Sequence, residues 1–130
     1  MREKNYSIPL QPVPLQRARL SGNHFYDPQQ RLKTAMGLYF CKIHGEDPKF
    51  QGPLYVEALF FMPIPKTKKQ RYHPLYHFRR PDLDNFLKFV LDVITQTDLI
   101  WNDDAQVTEI VTKKHYAKKP HIEITIRELL

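Results

Sequence analysis

The sequence predicts an α+β fold, a single domain with a mixed β-sheet and two main helices packed on one side, on three observations. Residues 121–127 alternate Ile122, Ile124 and Ile126 against Glu123, Thr125 and Arg127, the period of a strand with one face buried. Between 83 and 94 the period is helical: at about 100° per residue Leu83, Leu87, Val90, Leu91 and Ile94 share one arc, and Asp84, Lys88 and Asp92 take the opposite one. The chain has 130 residues, 42% of them apolar. That is one domain, 1–130, large enough to hold a core without cross-links.

The elements follow in order. Residues 5–10 read as a short strand, confined to an edge or ended by Pro9, Pro12 and Pro14. Residues 16–26, with Arg17, Arg19, Asn23 and His24, read as a loop. A helix is expected next, capped by Asp27, with Pro28 in its first turn. Its apolar face would be Leu32, Ala35, Met36, Leu38, Tyr39 and Ile43, and its stop Gly45. Residues 54–61 form a second strand that ends at Pro63. The next stretch has no period, and a loop approaching twenty residues inside a compact domain is a working loop. The second helix runs from Asp84 to about Thr97, with Phe86, Phe89 and Val93 widening its apolar arc toward either a second copy or the first helix. After a turn at 100–104, residues 106–116 make a strand of imperfect alternation, and 121–127 the last one.

Charge narrows the function classes. Twenty Lys and Arg oppose fourteen Asp and Glu, a net +6. Lys66, Lys68, Lys69, Arg71, Arg79 and Arg80 lie in one acid-free stretch that equals the whole excess, whereas six aspartates fall between Asp82 and Asp104. A basic segment beside a carboxylate cluster suits a nucleic-acid partner, although such a segment alone is also a solvated face. Tyr72, Tyr76 and Phe78, interleaved with Arg71, Arg79 and Arg80, can stack on unpaired bases or pack the loop onto the domain. Cys41 has no partner for a disulfide, no leading apolar stretch marks a secretory signal, and no run reaches the roughly 18 apolar residues of a membrane span. A cytoplasmic protein without membrane contact or small-molecule cofactor is expected.

Four carboxylates stand out: Asp82 and Asp84 at the head of the second helix, and the Asp103–Asp104 pair after it. Gathered acids repel, and a hard divalent cation resolves the repulsion. With Mg²⁺ such a site hydrolyses phosphodiesters, and Lys88, four residues after Asp84, can face the phosphate. The alternatives are ordinary: a helix cap for Asp82 or Asp84, an i,i+4 pair for Lys88, turn chemistry for Asp103 and Asp104. The carboxylates meet only if the chain returns alongside the helix. His73 and His77, four apart, lack the further ligands of a zinc site. His44, His115 and His121 read as solvated, Cys41 as core, and Trp101 as a packing anchor.

The string 80–92, R-P-D-L-D-N-F-L-K-F-V-L-D, followed by W-N-D-D-A-Q-V at 101–107, resembles the RusA family of phage and prophage Holliday junction resolvases. The resemblance covers about 5–127 and is most specific over 79–114. It implies that Asp82, Asp84 and Asp104 are essential acids, Lys88 the family's lysine and Asp103 an auxiliary carboxylate. It also implies a homodimer, Mg²⁺ as cofactor, and paired cuts across a four-way DNA junction. Lys66, Lys68, Lys69, Arg71, Arg79 and Arg80, with Arg17 and Arg19, would then hold backbone phosphates. The segment before Arg79 is longer than the family pattern leads one to expect, which leaves substrate shape preference open. The other readings are a module that recognises branched DNA without cutting it and a basic protein-interaction domain.

Overall fold

The computed structural model describes residues 2–66 and 73–130. The elements are β1 (Glu3–Ile8), a hairpin of β2 (Arg19–Ser21) and β3 (His24–Tyr26), α1 (Gln30–His44), β4 (Leu54–Pro63), α2 (Leu83–Thr97), a 3-10 turn (Asp104–Gln106), β5 (Val107–Ala117) and β6 (His121–Glu128). β1, β4, β5 and β6 form one mixed sheet in the order β1-β6-β4-β5. β6 is antiparallel to both neighbours, and β4 is parallel to β5. A parallel pair needs a crossover, and α2 supplies it.

Alternation decides which face the helices cover. Leu54, Val56, Ala58 and Phe60 of β4, Ile122, Ile124 and Ile126 of β6, and Tyr6 and Ile8 of β1 are all buried. Full burial of an Ile or Phe contributes about 2 kcal/mol, so this row is a principal source of stability. Phe40 of α1 and Phe86, Phe89, Val90, Val93 and Ile94 of α2 join the same core. The intervening side chains, among them Tyr55, Glu57, Leu59 and Phe61, lie half-buried on the opposite face. The α+β class, the two main helices and the mixed sheet agree with the sequence reading.

Several details differ, each for a physical reason. β1 stops at Ile8, because Pro9 has no N–H for the ladder. Residues 16–26 are not all loop: β2 and β3 pair about a turn in which Gly22 has φ +60°. α1 begins at Gln30, and the Asp27 carboxylate accepts from the Gln29 N–H and pairs with Lys33 instead of capping. The buried face of α1 is Lys33, Met36, Gly37, Phe40 and His44, which turns Leu32, Leu38 and Tyr39 outward. Lys33 sets this rotation: its ammonium bonds Asp27 at 2.5 Å and Asp92 of α2 at 2.9 Å. Burial alone would lower that ammonium's pKa, and the two carboxylates more than offset it, holding the group above 10.5. Phe86, Phe89 and Val93 are buried within the chain itself, so the first helix and sheet, and no second copy, cover them. His44, expected in solvent, is buried against Tyr6, with Nδ1 and the Tyr6 hydroxyl sharing a 2.6 Å hydrogen bond.

Candidate active site

Asp82 is the N-cap of α2, in extended backbone at φ −70°, ψ 145°. Its carbonyl accepts from the Asn85 and Phe86 N–H groups and so starts the helix, yet its carboxylate makes no capping hydrogen bond. An ordinary cap would use that oxygen to satisfy a first-turn donor. Asp84, in the first turn, meets Lys88 at 3.7 Å, with both side chains about two-thirds exposed. Such a pair is worth well under 1 kcal/mol, so Asp84 remains available to a stronger partner.

The surroundings of these two acids are built. Lys114 of β5 donates to the carbonyls of Arg79 at 2.6 Å and Pro81 at 2.8 Å, fixing the chain immediately before Asp82. Burial lowers the Lys114 ammonium below its ordinary 10.5, and the nearby Asp82 opposes that shift. Lys114 sits on the helix-facing side of β5, level with buried Phe60 of β4, at a position where alternation would call for an apolar residue. That break in the pattern is the signal in the sequence that sets Lys114 apart from a core residue. The proline-rich segment is fastened here too: the Leu15 N–H donates to the Asn85 carbonyl, and Gln29 holds the Pro14 carbonyl and the Gln16 N–H. Exposed Arg17 and Arg19 follow directly and lead into the hairpin, whose Leu20, Phe25 and Tyr26 are exposed.

Asp103 and Asp104 lie at the other end of α2. The chain does return alongside the helix, but it does so after Asp104, along β5, so that Lys114 and not Asp104 arrives beside Asp82. Trp101, fully buried, donates from Nε1 to the Thr95 hydroxyl and anchors the turn near the helix tail. Gln106 then shapes it: Oε1 accepts from the Asn102 and Asp103 N–H groups, and Nε2 donates to the carbonyls of Phe50 and Gly52. Partial burial raises the pKa of Asp104 above its ordinary 3.8, and Asp103 and Asp92 push it in the same direction. Asp92 is eight residues beyond Asp84, about 12 Å along the axis. The acids therefore form two groups, Asp82 and Asp84 at the head of α2 and Asp92, Asp103 and Asp104 toward its tail. Among the described residues no three His, Cys, Asp or Glu are close enough to hold an ion.

Of the expected phosphate contacts, Lys66, Arg79, Arg80, Arg17 and Arg19 are exposed, whereas Lys68, Lys69 and Arg71 lie outside the described residues. His73 and His77 do not form a pair: His73 Nδ1 accepts from the Leu75 and Tyr76 N–H groups, and His77 is buried against Tyr116. No helix among the described residues is long and apolar enough to cross a membrane.

Residues 9–127 match the family described as endodeoxyribonuclease RusA. The chain belongs to the RusA family. Two curated proteins are similar to this chain. The uncharacterized protein YqaN of Bacillus subtilis (strain 168) is 31% identical over 94 residues, covering 66% of this chain and 65% of that protein. The crossover junction endodeoxyribonuclease of Lactococcus phage r1t is 36% identical over 77 residues, covering 59% of this chain and 56% of the relative. The chain spans less than two-thirds of the length of either relative, and the family match over 9–127 takes in both of its acidic groups.

Proposed function

We propose that this RusA-family chain is an endodeoxyribonuclease that resolves four-way DNA junctions by paired phosphodiester hydrolysis, with Mg²⁺ and as a homodimer, in recombination and repair. The observation that carries the reading is the pair of uncommitted carboxylates at the head of α2: Asp82 caps without using its side chain, and among the described residues Asp84 is held only by an exposed lysine. An oxygen-only donor set of this kind suits Mg²⁺, which needs one or two carboxylates and keeps several waters. Asp82 and Asp84 of one copy, with Asp104 and the auxiliary Asp103 of a second, are the residues proposed to hold it, because a single chain keeps the two groups at opposite ends of α2. Bound there, the ion supplies Lewis-acid stabilisation of the phosphate and the leaving oxygen. The chain's own groups do the rest. Lys88 faces the developing charge, Lys114 keeps the 79–82 backbone in place, and Arg17, Arg19, Lys66, Arg79 and Arg80 bind flanking phosphates.

A synthetic four-way junction, incubated with and without Mg²⁺, tests this reading. Symmetric nicks that need the cation, and that disappear in Asp82→Asn, Asp84→Asn and Asp104→Asn alike while junction binding persists, are expected, because ligands of one site fail together. Junction binding with no cutting under any divalent cation would instead make the protein a branched-DNA-binding module. Normal turnover in one variant would remove that residue from the site.

A further inference from the structure

A row of four aromatic rings crosses the face of the sheet that the helices leave open. Register places Phe61 of β4 between His115 of β5 and His121 of β6, and Tyr76 makes an isolated antiparallel bridge to His115 on the outer side of β5. The rings touch in that order: Tyr76 to His115 at 5.7 Å, His115 to Phe61 at 6.2 Å, and Phe61 stacked on His121 at 4.2 Å and 9°. Tyr76 is 55% exposed, and the other three are half-buried.

Several features say that this row is more than packing. A ring that only sealed the sheet would be buried, yet Tyr76 is held in the open by a built turn, in which His73 Nδ1 accepts from the Leu75 and Tyr76 N–H groups and the Tyr116 N–H donates to the Leu75 carbonyl. The flanking charge is mainly positive. Lys113, exposed two residues before His115, shares its face of β5, and Lys118 and Lys119 follow in the exposed turn, against Glu123, which lies 4.0 Å from His121. Rings bordered by lysines suit unpaired nucleotides, because any base can stack while the ammonium groups track the backbone. Position completes the argument. Lys114 and His115 are neighbours on one strand and point to opposite faces, the first toward the Asp82 end of α2 and the second into the ring row.

We infer that Tyr76, His115, Phe61 and His121 form a stacking platform for unpaired DNA bases adjoining the scissile phosphate, with Lys113 on the phosphate that follows. The inference rests on the nuclease reading for the identity of the polymer. The platform would take the bases freed when a junction opens around the edge of β5, and it extends the substrate surface to the far side of the sheet from the acids.

The test uses the full chain in EDTA, so that binding is read without cutting, with a fluorescent oligothymidylate and a blunt duplex as probes. Tyr76→Leu and His115→Ala should each weaken oligothymidylate binding by about tenfold and leave duplex affinity within about twofold, whereas Tyr76→Phe, which keeps the ring, should bind like the parent. Lys113→Ala should weaken both probes and reduce the salt slope by about one. Thermal melts establish that each variant is folded, and photocrosslinking of 5-iododeoxyuridine oligonucleotide to the parent should label Tyr76 or its neighbours in the row. Unchanged oligothymidylate affinity in folded Tyr76→Leu, or an equal loss on both probes, overturns the platform. Junction cleavage by the parent protein decides the nuclease reading separately, so a platform that fails beside intact cleavage is distinguishable from a chain that never cuts.

Discussion

His44 shows how a single buried side chain makes stability depend on pH. It is 1% exposed, its Nδ1 is engaged by the Tyr6 hydroxyl, and its Nε2 has no partner among the described residues. Burial depresses its pKa below 6.5, so the folded state keeps the ring neutral where the unfolded chain takes up a proton. The contribution is therefore whole above about pH 6.5 and shrinks as the pH falls toward the folded value, by at most about 1.4 kcal/mol per pH unit for one proton. His77, lowered chiefly by burial and further by Lys114, acts with the same sign. Urea unfolding between pH 7.5 and 5.5 should show this decline in the parent and a shallower one in His44→Gln. Parallel curves would mean that His44 is not the group being titrated.

At the scale of elements, α1 and α2 meet through small side chains as well as large ones. Gly37 faces α2, and a methyl group built there would lie 3.6 Å from Thr97 Cγ2 and 3.9 Å from Val93 Cγ1, ordinary contact distances. Gly37→Ala should consequently stabilise the protein by about 0.5–1 kcal/mol, the helix-propensity difference, and a loss in the same urea measurement would show that the helices cannot accept the methyl group. The elements themselves were legible to different degrees. β6 and α2 were read almost to the residue because their periods are unbroken over a full strand or several turns. The hairpin at 19–26 was not, since three-residue strands whose side chains all stay exposed carry no hydrophobic period. The face of α1 was right at Met36 and Ile43 but wrong at Leu32, Leu38 and Tyr39, because a buried lysine, Lys33, occupies a position that an apolar rule gives to solvent; its two carboxylate partners, one of them 59 residues away, make it an inward residue. The motif residues were legible as types and spacings. Their separation into two groups was not, because it depends on the chain turning back after Asp104.

For the molecule as a whole, that separation bears on assembly. One chain carries Asp82 and Asp84 at one end of α2 and Asp104 toward the other, while the proposed junction cleavage calls for cuts at two symmetry-related points. A two-fold dimer answers both needs if each copy's Asp104 end meets its partner's Asp82 end. Sedimentation at micromolar concentration should give about 31 kDa, twice the 15.5 kDa chain. Mixing Asp82→Asn with Asp104→Asn should then restore nicking of one strand, since a shared site would have both defects on one side and neither on the other. A monomer that makes paired cuts, or a mixture that stays inert, would sink this arrangement. The sheet order carries a consequence for the timing of synthesis. β6 lies between β1 and β4, so β1, made before the other three strands of the sheet, has no neighbour in it until residues 121–128 emerge. A chain ended at Pro120 is expected to lack a cooperative thermal transition and to bind an apolar dye, and a sharp melt would contradict that. The four-stranded sheet would thus close in one step, when its interior strand arrives, and no stable half-sheet would precede it.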